Sequence, residues 1–275
     1  MRIHASQKYF ALTAAALALL HAAAQLCAAQ SPTAADRPTP RADRNSVLAH
    51  EQLLEKRKKG RIRIYFVGDS ITRRWGTSDE QYRALLDNWR RNFFGWNAAN
   101  FGWGGDTTQN ILWRLDNGEL DGVNPKIIVL MAGTNNVGNK SPQGDAEARA
   151  AEVARGIKAI LDLCRRKAPR ATIVLTGITP RNDNMAVMPV IDRVNARIAK
   201  LADGKKVRYV NINGRLADKD GRLYPGMTGG DGLHLDVKGY QVWADALKPI
   251  FNELLGPPDR EDHAPPPTGD PSAKK

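Results

Sequence analysis

The chain has 275 residues, which is long enough to bury the core of one substantial α/β domain. Its 41 Lys and Arg residues against 29 Asp and Glu residues give a net charge of +12, which can attract anionic surfaces or polysaccharides. The basic residues form no stripe interleaved with aromatics, so the sequence does not indicate nucleic-acid binding. Of the two cysteines, Cys27 lies in a leader-like stretch, and its removal would leave Cys164 without an intrachain partner.

The N-terminus has the layout of a secretory signal peptide. Arg2 and Lys8 flank the start of an apolar, alanine-rich stretch over residues 10–24, and small residues follow at Ala28 and Ala29. This stretch is short for a membrane span, so we predict cleavage after Ala29, at the end of a 1–29 signal peptide, and no stable membrane anchor afterwards. A bacterial Sec-type signal would place the mature protein in the periplasm or outside the cell.

After the leader, the sequence predicts three further regions: a Pro-rich linker and N-terminal helix (30–60), an α/β domain (61–255), and a disordered Pro-rich tail (256–275). Inside the domain, buried strands alternate with amphipathic helices. The strands are predicted at 62–67, 98–101, 126–131, 172–175 and 207–210. A first helix is predicted at 46–59, before the first strand. The other helices are predicted at 79–92, at 107–117, at 145–167, from 187 to a stop at 204, and from 236 onward. This alternation predicts a central, mostly parallel five-stranded sheet with helices on both faces.

Polar or glycine-rich groups follow three of the predicted strands. Ser70 follows the first strand in the sequence Gly-Asp-Ser, Gly105 follows the second, and Asn135 follows the third. Ligands of parallel sheets bind beyond the carboxyl ends of the strands, so these residues indicate a site at one edge of the sheet. Taken singly, Ser70 can be a helix cap, Gly105 part of a tight turn, and Asn135 an Asx cap.

A serine nucleophile needs a base, and His234 is the histidine that lies within the predicted domain. Asp231 stands three residues earlier and can accept a hydrogen bond from one ring nitrogen, which would leave the other to take the proton of Ser70. Gly105 can bring a backbone N–H close to a developing oxyanion, and Asn135 can offer a side-chain amide. Asp-x-x-His is a weak motif alone, but together with Gly-Asp-Ser it predicts a Ser-His-Asp site. Cys164, on the apolar face of a long helix, is predicted to be a core residue.

These blocks resemble those of the SGNH (GDSL-type) hydrolase superfamily, with the closer likeness to its platelet-activating-factor acetylhydrolase branch. The resemblance covers roughly residues 61–255. It is carried best by residues 100–120, NFGWGGDTTQNILWRLDNGEL, and by residues 124–138, NPKIIVLMAGTNNVG. The resemblance implies a flavodoxin-like three-layer α/β/α sandwich, which agrees with the alternation of strands and helices.

The resemblance also implies roles for the site residues. Ser70 would be the nucleophile, His234 the base and Asp231 the acid that orients it, while Ser70, Gly105 and Asn135 would form the oxyanion hole. No metal or organic cofactor is implied. The expected activity is that of an exported serine esterase acting on short-chain, acetyl esters of a small molecule or carbohydrate, as a monomer or homodimer.

Other features leave the substrate open. Many relatives carry Asp where this chain has Asn136, and the leader departs from intracellular acetylhydrolases. Trp75, Trp103 and Tyr224 are candidates to line the substrate pocket, and each can equally be a packing residue. A lysophospholipase or thioesterase could use the same machinery. A nucleotide-binding module would need the 102–106 loop, which matches neither G-x-G-x-x-G nor the P-loop. The intact Ser, Asp and His argue against a non-catalytic glycan-binding protein.

Overall fold

The fold is built on a sheet of five parallel strands. The computed structural model describes residues 34–138 and 145–273. The strands are β1 (Ile64–Gly68), β2 (Ala98–Asn100), β3 (Ile127–Met131), β4 (Thr172–Thr176) and β5 (Val207–Val210). They lie in the spatial order β2-β1-β3-β4-β5, and every pairing is parallel. This is the flavodoxin-like order, so the predicted fold class is confirmed, with a sheet that is wholly rather than mostly parallel.

Helices cover both faces of the sheet. They are α1 (Arg44–Lys56), α2 (Ser70–Trp75), α3 (Arg83–Phe93), α4 (Thr108–Arg114), α5 (Thr134–Val137), α6 (Ala146–Lys167), α7 (Met188–Ala199), α8 (Asn213–Leu216) and α9 (Val237–Leu255). Successive side chains of a strand point to opposite faces, so Tyr65 and Val67 join the core under α1, α4, α6 and α7. Ile64 and Phe66 join a second core under α2, α3 and α9. The result is a three-layer α/β/α sandwich.

The register of the strands brings the carboxyl ends of β1, β2 and β3 to the same level. Gly68, the last residue of β1, pairs with Met131, the last residue of β3. The backbone N–H of Trp103, just beyond β2, donates to the carbonyl oxygen of Gly68 at 3.1 Å. The turns that follow β1, β2 and β3 therefore meet at the same edge of the sheet.

Four of the helix starts are capped by aspartate side chains. Side chains of Asp43, Asp69, Asp145 and Asp236 accept a backbone N–H at the first turn of α1, α2, α6 and α9 respectively. Each cap satisfies one of the amide groups that a helix N-terminus leaves without an intrahelical partner. The α9 helix continues through Pro249.

Two of the predicted helices have a different type of helical turn at one end in the structure. The helix predicted from residue 79 begins with a 3₁₀ turn, Glu80–Tyr82, before α3. The helix predicted to reach residue 117 ends at Arg114 and is followed by a wider π turn, Leu115–Glu119. Gly118 in that turn has a φ of 108°, which interrupts regular helical geometry.

The segment before α1 is not a flexible linker from residue 34 onward, contrary to the prediction. The Thr108 hydroxyl donates to the carbonyl oxygen of Ala35 at 2.7 Å, and the Thr39 N–H donates to that of Gln109 at 3.1 Å. The Asn110 amide donates in turn to the Thr39 carbonyl oxygen. These hydrogen bonds lay the segment along α4, which composition alone does not reveal.

The prediction of a disordered C-terminal tail is also wrong for residues 256–273. Thr268 forms a parallel bridge with Thr77, and the Arg61 N–H donates to the carbonyl oxygen of His263 at 2.7 Å. The Asp262 carboxylate accepts the Gly95 N–H at 2.6 Å. The Pro-rich composition is typical of disorder, but these polar anchors hold the tail against the domain.

Other predictions have mixed outcomes. Cys164 is fully buried in α6, as predicted, and burial raises the pKa of its thiol to about 12. The predicted signal peptide, with Cys27 and the cleavage point after Ala29, lies outside the described residues. Among the helices of residues 34–138 and 145–273, none is both long and apolar enough to cross a membrane.

Candidate active site

Ser70 stands at the sharp turn between β1 and α2. A Cβ at Gly68 would collide with the carbonyl oxygen of Met131 and with the Thr72 hydroxyl, so the strand must end in glycine. Asp69 is almost fully buried, and its carboxylate accepts the Ile71 N–H at 2.9 Å to cap α2. Ser70 is then the first residue of α2, and its side chain remains partly exposed at the edge of the sheet.

His234 and Asp231 lie in the loop before α9. The Oγ of Ser70 lies 2.8 Å from Nε2 of His234, and Nδ1 of His234 lies 2.7 Å from Oδ2 of Asp231. The other carboxylate oxygen of Asp231 accepts the backbone N–H groups of Leu233 and His234 at 3.0 and 2.9 Å. This short turn fixes the carboxylate beneath the imidazole. The structure thus brings together three residues that the sequence separates by up to 164 positions.

The charges around these residues favour a neutral imidazole and an ionised carboxylate. Although partial burial opposes ionisation of Asp231, the N–H groups of His234 and Leu233 and the His234 ring hold the pKa of Asp231 well below its usual range. Burial lowers the pKa of His234, and the nearby positive charge of Arg74 lowers it further, against the opposing effect of Asp231. A neutral His234 with Nδ1–H donating to Asp231 leaves Nε2 free to accept the hydroxyl proton of Ser70.

Gly105 and Asn135 lie in the neighbouring turns that follow β2 and β3. Gly105 is exposed and has a φ of 77°, a left-handed conformation that glycine adopts without strain. The side-chain nitrogen of Asn135 donates one hydrogen to the carbonyl oxygen of Asp106 at 2.8 Å. An amide carries two such hydrogens, so the second is available for a ligand. The turns after β2 and β3 are therefore tied together.

Asn136, which follows Asn135 directly, holds the start of α4. Its Oδ1 accepts the Thr108 N–H at 2.9 Å, and its amide nitrogen donates to the Thr108 hydroxyl and to the Gln109 side chain. An aspartate could accept the first bond but could not donate the other two. The asparagine is therefore explained by local structure.

A buried network of charges underlies the Gly105 turn. Arg114 donates to the carboxylate of Asp106 at 2.7 Å and also pairs with Glu119, and all three side chains are almost fully buried. Glu119 also contacts Nδ1 of His50 at 2.8 Å. Burial raises the pKa of Asp106 to about 6, with Arg114 opposing the rise, and burial lowers the pKa of Lys56 to about 7. The sequence did not predict that these charges are buried, because charged side chains are mostly exposed.

The predicted pocket residues have three different placements. Trp75 is fully buried and stacks on Tyr240 and Trp243, so the structure contradicts a substrate-lining role for it. Trp103 is 7% exposed, and its indole N–H donates to the Ser46 hydroxyl. It also lines a cavity of about 100 Å³ together with residues of α1 and α4. Tyr224 is 43% exposed in the loop that precedes Asp231 and can form part of a rim.

Three arginines near the site were not predicted as site residues. Arg74 lies 3.2 Å from the Asp231 carboxylate. Arg181, fully buried after β4, hydrogen-bonds to the carbonyl oxygens of Thr134 and Gly138. Arg41 reaches the Gly105 turn from the segment before α1, where its Nη1 donates to the carbonyl oxygen of Gly104 at 3.1 Å. The position of Arg181 after a parallel strand is a signal that could have been used. Within residues 34–138 and 145–273, no group of three or more His, Cys, Asp or Glu side chains is placed to hold a metal ion.

Comparisons with known proteins identify the family of this chain. Residues 66–242 match the model of the GDSL-like Lipase/Acylhydrolase family. The chain is 32% identical over 244 residues to platelet-activating factor acetylhydrolase IB subunit alpha1 of Bos taurus, covering 86% of this chain and 97% of that protein. It is 35% identical over 202 residues to the alpha2 subunit of Homo sapiens, covering 70% of this chain and 77% of that protein.

Solved structures agree on the fold. The crystal structure of a GDSL-like lipase from Bacteroides thetaiotaomicron superposes with a TM-score of 0.58 at 21% identity, covering 76% of this chain and 100% of that chain. The chain therefore belongs to the GDSL-like lipase/acylhydrolase family and is a carboxylic-ester hydrolase.

Proposed function

We propose that this protein is an exported serine esterase that removes acetyl groups from its substrate by means of Ser70, His234 and Asp231. The observation that carries the proposal is the pair of contacts at 2.8 Å, from Ser70 to His234, and at 2.7 Å, from His234 to Asp231. These are the distances at which a histidine can act as base for a serine hydroxyl while a carboxylate orients it.

The proposed reaction has two steps. The Oγ of Ser70 attacks the ester carbonyl carbon while Nε2 of His234 takes its proton. The oxyanion that forms is held by the N–H groups of Ser70 and Gly105 and by the Asn135 amide. Collapse breaks the bond to the alcohol oxygen, which leaves with the proton from His234, and a water activated by His234 then hydrolyses the acetyl-serine ester and regenerates the free serine.

Three arguments support the acyl group and the substrate class. The relatives in cattle and humans are named as acetylhydrolase subunits, which favours acetyl as the acyl group here. The predicted signal peptide favours an ester outside the cytosol, and we propose an acetylated carbohydrate. Tyr224, exposed beside the loop that carries Asp231, gives an aromatic surface against which a sugar could rest.

A hydrolysis screen tests the activity and the acyl group. The purified protein would be assayed with aryl esters of increasing chain length, acetylated sugars and lysophospholipids. We expect the acetyl ester to be hydrolysed fastest, Ser70→Ala to be inactive, and Ser78→Ala to match the wild type, because Ser78 is an exposed serine of the following loop. Activity that rises toward long chains would instead identify a lysophospholipase or thioesterase, and an active Ser70→Ala variant would refute the proposed nucleophile.

Export needs its own experiment. The full-length chain with a C-terminal tag would be produced in a bacterial host, and the tag followed by cell fractionation and by mass spectrometry of the mature N-terminus. We expect the periplasmic or secreted form to begin at Gln30. A protein that keeps Met1 and stays in the cytosol would contradict export while leaving the esterase proposal intact.

A further inference from the structure

The peptide group between Gly104 and Gly105 has one hydrogen-bonding group toward Arg41 and another that we propose binds the oxyanion. Its carbonyl oxygen, which belongs to Gly104, accepts a hydrogen bond from Nη1 of Arg41 at 3.1 Å. Its N–H belongs to Gly105 and is one of the donors proposed for the oxyanion. Because a trans peptide is planar, its C=O and N–H point in opposite directions and turn as one body. The group that fixes the carbonyl therefore also fixes the direction of the N–H.

Arg41 is itself held in place. Its Nε donates to the carboxylate of Asp43 at 2.8 Å, and the same carboxylate caps α1 by accepting the Ser46 N–H at 3.0 Å. Nη1 of Arg41 also lies 3.6 Å from Oδ1 of Asp106, a buried oxygen for which the described residues provide no hydrogen-bond donor. A Cβ placed on Gly105 would lie 3.0 Å from the same guanidinium nitrogen. The guanidinium is thus fixed against the turn by carboxylates on two sides.

Contacts other than those of Arg41 also hold the segment that carries it. The hydrogen bonds that Ala35 and Thr39 make with α4 hold it. Arg155 adds a surface ion pair with Asp36 at 3.0 Å. Tethering of the segment and contact with the Gly104 carbonyl can therefore be separated by mutation.

We infer that Arg41 is a positioning residue of the oxyanion hole, an inference that rests on the proposed function. Its hydrogen bond holds the Gly104 carbonyl away from the reacting centre, and this keeps the Gly105 N–H directed at the oxyanion. The charged donor on the carbonyl also draws electrons toward that oxygen and makes the N–H of the same peptide a stronger donor. Donors fixed before the reaction stabilise the transition state without reorganisation. Arg41 lies before residues 66–242, the stretch that matches the family model.

Kinetics with an aryl acetate test this inference. In Arg41→Gln we expect kcat to fall roughly tenfold with KM unchanged, because losing a whole oxyanion donor costs roughly a hundredfold or more and this change only weakens one. An arylboronic acid, which adds to a serine as a tetrahedral anion, should bind more weakly by a similar factor. Arg41→Lys should recover part of the loss. Arg155→Gln is the matched control for the tether and should keep wild-type kinetics.

Each alternative has its own outcome. An Arg41→Gln variant with kcat within twofold of the wild type would overturn the inference. Equal losses in Arg41→Gln and Arg155→Gln would make Arg41 a tether of the segment, and a raised KM at constant kcat would make it a substrate contact. An active Ser70→Ala variant would remove the proposed function and the inference together. An inactive Ser70→Ala beside a normal Arg41→Gln would remove only the inference.

Discussion

Replacing Asp231 with Asn tests a specific feature of the site: one carboxylate oxygen of Asp231 binds the backbone and the other binds the His234 ring. Oδ1 accepts two backbone N–H groups, at 3.0 and 2.9 Å, and Oδ2 lies 2.7 Å from the ring of His234. An asparagine would keep its oxygen on the two backbone donors, because these cannot move away. Its NH₂ group would then face Nδ1 of His234 and the guanidinium of Arg74. The side chain of Arg74 is 27% exposed and can turn aside.

The amide donor then forces the wrong tautomer. Nδ1 of His234 must become the acceptor, so the ring hydrogen moves to Nε2, which faces Ser70 and can no longer accept its proton. We expect kcat for an aryl acetate to fall on the order of a thousandfold or more, about 4 kcal/mol in activation free energy. Asp231→Ala should be the milder variant, since it leaves the tautomer free to change.

The assay is steady-state hydrolysis from pH 5 to pH 9, with thermal unfolding to show that the variants fold. Asp236→Asn is the matched control. Asp236 also accepts a backbone N–H, at the start of α9, and its replacement keeps that acceptor without touching the imidazole. An Asp231→Asn variant within tenfold of the wild type would show that the carboxylate does not set the tautomer of His234.

Two further predictions concern pH. Arg74→Gln should move the acidic limb of kcat/KM to higher pH, because the positive charge of Arg74 helps to lower the pKa of His234, and the limb follows deprotonation of the base. Asp69→Asn should stabilise the protein at pH 8, as measured by chemical denaturation. Burial raises the pKa of Asp69 from the usual 3.8 to about 7, so the folded state holds the proton more tightly than the unfolded chain. The contribution is present below about pH 4, is lost as the pH rises through about 7, and amounts to a few kcal/mol.

Both predictions have internal controls. Arg73→Gln removes the neighbouring charge, which pairs with Asp79 and stacks over Trp103, and it should leave the pH profile in place. If both arginine variants shift the limb equally, a general surface charge effect is the cause. The side chain introduced by Asp69→Asn would still cap α2, because asparagine is also a good N-cap. If that variant keeps the wild-type loss of stability between pH 4 and pH 8, another group causes the loss.

The strands, the two helical faces and the edge that carries the site could all be predicted from the sequence. Apolar runs such as residues 127–131 are buried in the sheet, and the order of strands and helices leaves few topologies open. Once the sheet is parallel, the ends of β1, β2 and β3 must meet at one edge. Ser70, Gly105 and Asn135 follow those ends directly, so their positions could be predicted without coordinates.

Other features could not be predicted because they depend on contacts between distant segments. Trp75 follows Ser70 closely in sequence, but the short helix α2 directs its ring into the core against Tyr240 and Trp243. The tail over 256–273 has the composition of a disordered segment, yet polar bonds such as that from Arg61 to His263 hold it against the domain. Composition measures what a segment can bury by itself and carries no information about hydrogen bonds that a neighbouring surface offers.

The sequence by itself predicted the fold class, the family resemblance and the candidate residues Ser70, His234 and Asp231, because each prediction follows from local pattern or from elimination. Only the tertiary structure decided how they meet: the 2.8 Å contact between Ser70 and His234, and the placement of Arg41 on the Gly104 carbonyl. Those contacts join segments 164 and 63 positions apart, and their geometry depends on how the loops pack after the sheet has formed. A periodic pattern specifies which face of a strand or helix is buried, but it does not specify the distance between two loops.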